Sequence, residues 1–106
     1  MLLKGKTALI TGGTRGIGYA IAKKFAAEGC NVAFSFLNSA DKAILIEAEL
    51  NEKGIKAKLY KSNASVYQEA EKLTEEVLKE FKTIDILINN AGITRDNLIL
   101  RMSEEQ

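Results

Sequence analysis

The sequence predicts an α/β fold: part of a doubly wound parallel sheet with strands in the order 3-2-1-4. Two observations predict it. Four short runs rich in β-branched and aromatic residues begin at residues 6, 31, 56 and 84. Stretches with helical spacing lie between them, so each interval of 25, 25 or 28 residues holds one strand and one helix. Such alternation gives parallel strands joined by right-handed helical crossovers. A complete doubly wound sheet has six strands in the order 3-2-1-4-5-6, and four are supplied here.

The first strand is Lys6 to Thr11 (KTALIT) and the second is Asn31 to Leu37 (NVAFSFL). The third, Lys56 to Ser62 (KAKLYKS), is more polar, as suits an edge. The fourth, Ile84 to Asn89 (IDILIN), is the most apolar, and its content favours strand over helix. The first helix carries Ile17, Ala20, Ile21 and Phe25 at helical spacing, with Gly29 placed as a C-terminal stop. The second runs from Ala40 to Lys53, opened by Asn38 or Ser39 as cap and closed by Gly54. The third has a stripe of Val66, Ala70, Leu73, Val77 and Phe81, with Ser65 as its expected cap.

Composition narrows the function classes. The chain has 106 residues, 46% apolar, which is enough for one core and too few for two. Fifteen Lys and Arg against 14 Asp and Glu leave a net charge of +1, so no charge excess points to nucleic acid or an anionic membrane. A single cysteine, Cys30, forbids an intrachain disulfide and suits a reducing compartment. The absence of histidine excludes a Ser-His-Asp triad or a His-ligated metal within these residues. With no signal-peptide core and no apolar run of about 20 residues, the expectation is a cytoplasmic protein with no membrane partner.

The informative stretch is Thr11-Gly12-Gly13-Thr14-Arg15-Gly16-Ile17-Gly18, where the first strand gives way to the first helix. A helix N-terminus offers unpaired N–H groups and partial positive charge, and glycines let a phosphate approach the backbone. A Walker A loop is excluded because Tyr19 and Ala20 stand where Lys and Ser/Thr are needed. The spacing Gly12-x-x-x-Gly16-x-Gly18 also differs from the G-x-G-x-x-G dinucleotide fingerprint. A glycine-rich turn can simply bind nothing. Its place after an apolar strand, the glycine at the helix start and Arg15 within the loop argue for an anion.

T-G-G-T-R-G-I-G resembles the cofactor motif of the short-chain dehydrogenase/reductase family. Asn89-Asn90-Ala91-Gly92, at the end of the fourth strand, resembles that family's N-N-A-G motif. The stretch from Ile93 to Gln106 looks like the 3-oxoacyl-acyl-carrier-protein reductases among them. The resemblance implies a Rossmann-type sheet, of which residues 1–106 would be the N-terminal, NADP-binding part. It implies that Gly12, Thr14, Arg15, Gly16, Ile17 and Gly18 line the pyrophosphate and adenosine side. Asn63 and Ala64 would meet the adenine, with Asn where the family often has Asp. Asn90, Ala91 and Gly92 would lie near the cofactor ribose, and Asn89 would tie strands together.

An NAD enzyme usually places an acid after the second strand to bind the ribose hydroxyls. Here Ser35-Phe36-Leu37-Asn38-Ser39 carries none, and Arg15 offers a planar fork suited to phosphate. Both favour NADP(H). The implied reaction is reduction of a 3-oxoacyl thioester carried on acyl-carrier protein, a step of fatty-acid synthesis.

The family's chemistry uses Tyr-x-x-x-Lys with a nearby Ser and Asn. Tyr19-Ala20-Ile21-Ala22-Lys23 has that spacing but lies on the phosphate-binding helix, where it reads as an i,i+4 pair on the exposed side. No catalytic residue is therefore assigned here. The expectation is that the catalytic set lies beyond Gln106 and that these residues alone are inactive. Ser103-Glu104-Glu105-Gln106 has the form of a capping box, which announces a helix. The fourth strand is expected to have one open edge, inviting a homo-oligomer or another chain to complete the sheet. The competing readings are a non-catalytic nucleotide-binding or sheet-completing half-domain, and a flavodoxin-like carrier. The carrier gives Asn89-Asn90-Ala91-Gly92 no role.

Overall fold

Strand β1 (Thr7–Thr11) is buried along its whole length, and β2 (Asn31–Phe36) nearly so, because helices cover both faces of the sheet. These elements come from a computed structural model of the chain, which describes residues 2–12, 16–63, 66–90 and 99–103, the last as backbone only. The remaining elements are α1 (Gly16–Ala27), α2 (Ala40–Asn51), β3 (Ala57–Lys61), α3 (Tyr67–Phe81), β4 (Thr83–Asn89) and β5 (Ile99–Ser103). The sheet order is β3-β2-β1-β4-β5. The first four strands are parallel and stand in the order 3-2-1-4 that the sequence predicts.

Successive strand residues point to opposite faces, which sorts the core into two layers. Ala8, Ile10, Val32, Phe34 and Phe36 meet Ala22 and Ala26 of α1 and Ala43, Ile46 and Leu50 of α2. Leu9, Ala33 and Ile84 face the other way, onto Leu73 and Val77 of α3. The crossovers therefore change sides. α1 and α2 lie on one face, and α3 returns along the other to carry the chain from β3 to β4. That reversal places β1 between β2 and β4 and opens a switch point at their carboxyl ends. No described helix is long and apolar enough to cross a membrane.

Three expectations about the helices are corrected. In α1 the residues that face the sheet are Gly18, Ala22 and Ala26, whereas Ile17 is 65% exposed and Ala20 is also exposed. Small side chains let the helix lie close to the sheet, and the larger Tyr19, Ile21 and Phe25 pack at its flanks. Ser39 does occupy the cap position of α2, but its backbone is left-handed (φ 66) and its side chain makes no capping bond. Val66, rather than Ser65, occupies the cap position of α3, and Ser65 lies outside the described residues.

The outer edge of β4 is not open. β5 pairs with it antiparallel, Ile88 opposite Ile99 and Thr83 opposite Ser103. Between Ile84 and Leu87 the register slips, because three steps on β4 face two on β5, as in a β-bulge. Ser103 is the last residue of β5, and the rest of the expected capping box lies outside the described residues. Glu104 to Gln106 lie outside the described residues.

Candidate functional site

The carboxyl ends of β1 and β4 lie side by side, with Thr11 opposite Asn89. One hydroxyl knits them together. Thr11 Oγ1 donates to Asn89 Oδ1 at 3.0 Å and accepts the Asn90 backbone N–H at 2.9 Å. On the other flank, the Gly12 N–H donates to the Ser35 carbonyl at 3.0 Å, with Ser35 Oγ at 3.3 Å. The backbone then leaves the sheet at Gly12 with φ 71 and enters α1 at Gly16 with φ 57. Both are left-handed conformations that a side chain disfavours.

Gly18 closes the turn. A Cβ built there would collide with the Gly12 carbonyl oxygen and stand 2.9 Å from Asn90 Nδ2. Only glycine lets the first turn of α1 lie this close to the end of β1. Asn90 Nδ2 donates to the same Gly12 carbonyl at 3.3 Å. Two stretches 78 residues apart therefore meet at one oxygen, and the start of α1 is held over the switch point. No acidic residue sits in the first turn of α1, so nothing there offsets the positive end of its dipole. Among the described residues, nothing stands within 4 Å of the position a Gly16 Cβ would take. The arrangement can receive an anion on backbone N–H groups.

Of the residues singled out by sequence, Gly12, Gly18 and Asn90 are brought into contact, and Gly16 and Ile17 open the helix beside them. Asn63 stands at the carboxyl end of β3, two strands away. Its N–H donates to Glu69 Oε1 at 2.8 Å, and its carbonyl accepts the Val66 N–H. Thr14, Arg15, Ala64, Ala91 and Gly92 lie outside the described residues. Thr11 and Ser35 are site-building residues the sequence reading left out of its list. Their part depends on strand register, and only a hydroxyl at the last position of β1 hints at it.

The Tyr19–Lys23 pair has its own structural explanation. Tyr19 Oη donates to Glu49 Oε1 of α2 at 2.8 Å, and Lys23 Nζ lies 5.1 Å from the Tyr19 ring centroid. The Glu49 hydrogen bond, helped by burial, raises the hydroxyl above its usual range, opposite to what a proton-donating tyrosine needs. The ring is half-buried and joins α1 to α2, so the expectation of an exposed pair is corrected.

The model of the short chain dehydrogenase family matches residues 6–106. The chain is 43% identical over 101 residues to the 3-oxoacyl-[acyl-carrier-protein] reductase FabG of Staphylococcus epidermidis, covering 95% of this chain and 41% of that protein. It is 40% identical over 105 residues to the protein of the same name from Chlamydia trachomatis, covering 99% and 42%. Among solved structures, a short-chain dehydrogenase/reductase from Serratia marcescens superposes with a TM-score of 0.82 at 35% identity, covering 91% of this chain and 41% of that one. A blue fluorescent protein from a metagenomic library, in complex with NADPH, gives 0.84 at 34%, covering 88% and 38%. An NAD+-bound xylitol dehydrogenase gives 0.82 at 32%, covering 88% and 35%. The chain thus spans well under half the length of these relatives.

Proposed function

Because this chain belongs to the short-chain dehydrogenase family, we propose that its Gly12–Gly18 turn holds the diphosphate of NADP(H). The whole protein is then an oxidoreductase that reduces 3-oxoacyl-acyl-carrier-protein to the 3-hydroxyacyl product. Residues 1–106 are the cofactor-binding part of its domain. The observation that carries this reading is the approach of Gly18 to Gly12 and Asn90 at the switch point between β1 and β4. That is where an open α/β sheet receives a nucleotide.

The residues present fit the group. N–H groups at the start of α1 take the diphosphate, and the left-handed Gly12 keeps the path to them free of side chains. Asn63, at the carboxyl end of β3, would face the adenine, while Asn90 braces the turn from the β4 side through the Gly12 carbonyl. After β2 the chain reads Leu37-Asn38-Ser39, with no carboxylate to repel a 2′-phosphate. Arg15 adds a guanidinium within the loop. These features support NADP(H) over NAD(H).

The cofactor, when bound, supplies hydride to the carbonyl carbon of the β-keto thioester. The proton for the carbonyl oxygen comes from outside the described residues. Of their tyrosines, Tyr19 is bonded to Glu49, Tyr60 is packed against α3, and Tyr67 opens α3 far from Gly12 in the sheet order. This chain's own work is to bind and orient.

Calorimetric titration with NADPH and NADH tests the reading. We expect NADPH to bind the more tightly. Equal dissociation constants overturn the NADP(H) assignment, and binding of neither overturns the site.

A further inference from the structure

Strand β3 ends the sheet, so half of its backbone groups face away from β2. The flanking bonds set the phase. Val32 N–H donates to the Lys56 carbonyl, and Ser62 N–H donates to the Phe36 carbonyl, each at 2.9 Å. Even-numbered residues therefore turn N–H and C=O inward, and Ala57, Leu59 and Lys61 turn theirs outward. An outward row of this kind is a template for another strand.

Two side chains of α2 already occupy it. Asn51 Oδ1 accepts the Ala57 N–H at 2.9 Å, and Asn51 Nδ2 donates to the Ala57 carbonyl at 3.0 Å. A single side-chain amide thus makes both bonds that a residue on a paired antiparallel strand would exchange with Ala57. Glu47 Oε2 accepts the Leu59 N–H at 2.8 Å. Glu47 and Asn51 stand one turn apart on the same side of α2. Asn51 Nδ2 also donates to the Glu47 carbonyl at 3.0 Å, which fixes the amide in place.

We propose that Glu47 and Asn51 form an edge guard, which closes β3 against strand addition by a second copy of this chain. Of the six outward backbone groups of Ala57, Leu59 and Lys61, these two side chains engage three. They are the middle N–H and both groups at the strand start, where an incoming strand must register. The exposed Lys61 at the end of the same strand adds like charge against like when two such edges meet. The proposal is independent of any bound nucleotide.

The test is a Glu47→Ala/Asn51→Ala variant examined by sedimentation velocity over a range of protein concentrations. We expect a species of twice the parent's mass that grows with concentration. Glu47→Gln keeps an oxygen acceptor and should behave as the parent. Ala48→Gly loosens the same helix while leaving both guards, and should also stay at the parent's mass. If Ala48→Gly associates as strongly as the double variant, or if the folded double variant keeps the parent's mass, the proposal is overturned.

Discussion

Replacing Gly18 with alanine puts a methyl group against the Gly12 carbonyl oxygen, with Asn90 Nδ2 also only 2.9 Å away. Helix propensity alone would favour alanine by up to ~1 kcal/mol. Overpacking against backbone, which cannot swing aside, costs about 1–3 kcal/mol. Loss of the Asn90–Gly12 bond as the turn shifts costs about 1 kcal/mol more. The net expectation is a protein less stable by roughly 1–3 kcal/mol, measured by urea unfolding. The same shift moves the N–H groups at the start of α1, so NADPH affinity should fall at least ~10-fold by calorimetry. Gly54→Ala is the control. Gly54 has φ 88 with open space around its Cβ position, away from the turn, so the variant should lose stability through strain alone and keep its affinity. If Gly18→Ala matches the parent in both stability and affinity, the close approach does not shape the site.

Tyr60 has a buried hydroxyl without a bonding partner among the described residues. Tyr60→Phe should therefore match or exceed the parent in stability by on the order of 1 kcal/mol at neutral pH, read from urea midpoints. Burial, with Glu80 next in weight, pushes the Tyr60 hydroxyl up to about 12. The folded value lies above the unfolded one, so its contribution is complete below about pH 10 and is lost as pH rises toward about 12. Tyr60→Phe should flatten that alkaline decline. Tyr19→Phe removes the Glu49 bond and should cost about 0.5–1.5 kcal/mol in thermal or urea unfolding while leaving NADPH affinity unchanged. Cys30 is buried and its thiol is raised to about 11, chiefly by burial, so iodoacetamide should label it at neutral pH only when the chain opens. Fast labelling of the native protein would contradict that packing.

The four parallel strands were legible because each is a short β-branched run set between helical stretches, and each boundary lies within one residue of the sequence reading. Leu73 and Val77 on α3 were equally plain, since that helix has one apolar stripe and an otherwise polar surface. α1 was harder. Its buried side is marked by smallness, at Gly18, Ala22 and Ala26, while the large apolar Ile17 is exposed. Strand β5 was not legible at all. Ser103 to Gln106 reads locally as a helix start, but the unpaired groups of β4 draw the preceding residues into the sheet. Within the site, the glycine spacing pointed to the turn. The contact of Gly18 with Asn90 required the crossover of α3, which brings β4 beside β1. Thr11 and Ser35 came into view only with the strand register.

The meeting of Asn90, Thr11 and Gly12 also bears on how the chain acquires its shape. Hydrogen bonds that span 78 and 79 residues cannot form until β4 has slotted in beside β1, after α3 has crossed. The turn at Gly12 is therefore complete only once β4 stands beside β1. A ligand that recognises only the finished cradle acts as a clasp on the whole sheet, and saturation at a hundred times its dissociation constant would stiffen the fold by about 2.7 kcal/mol.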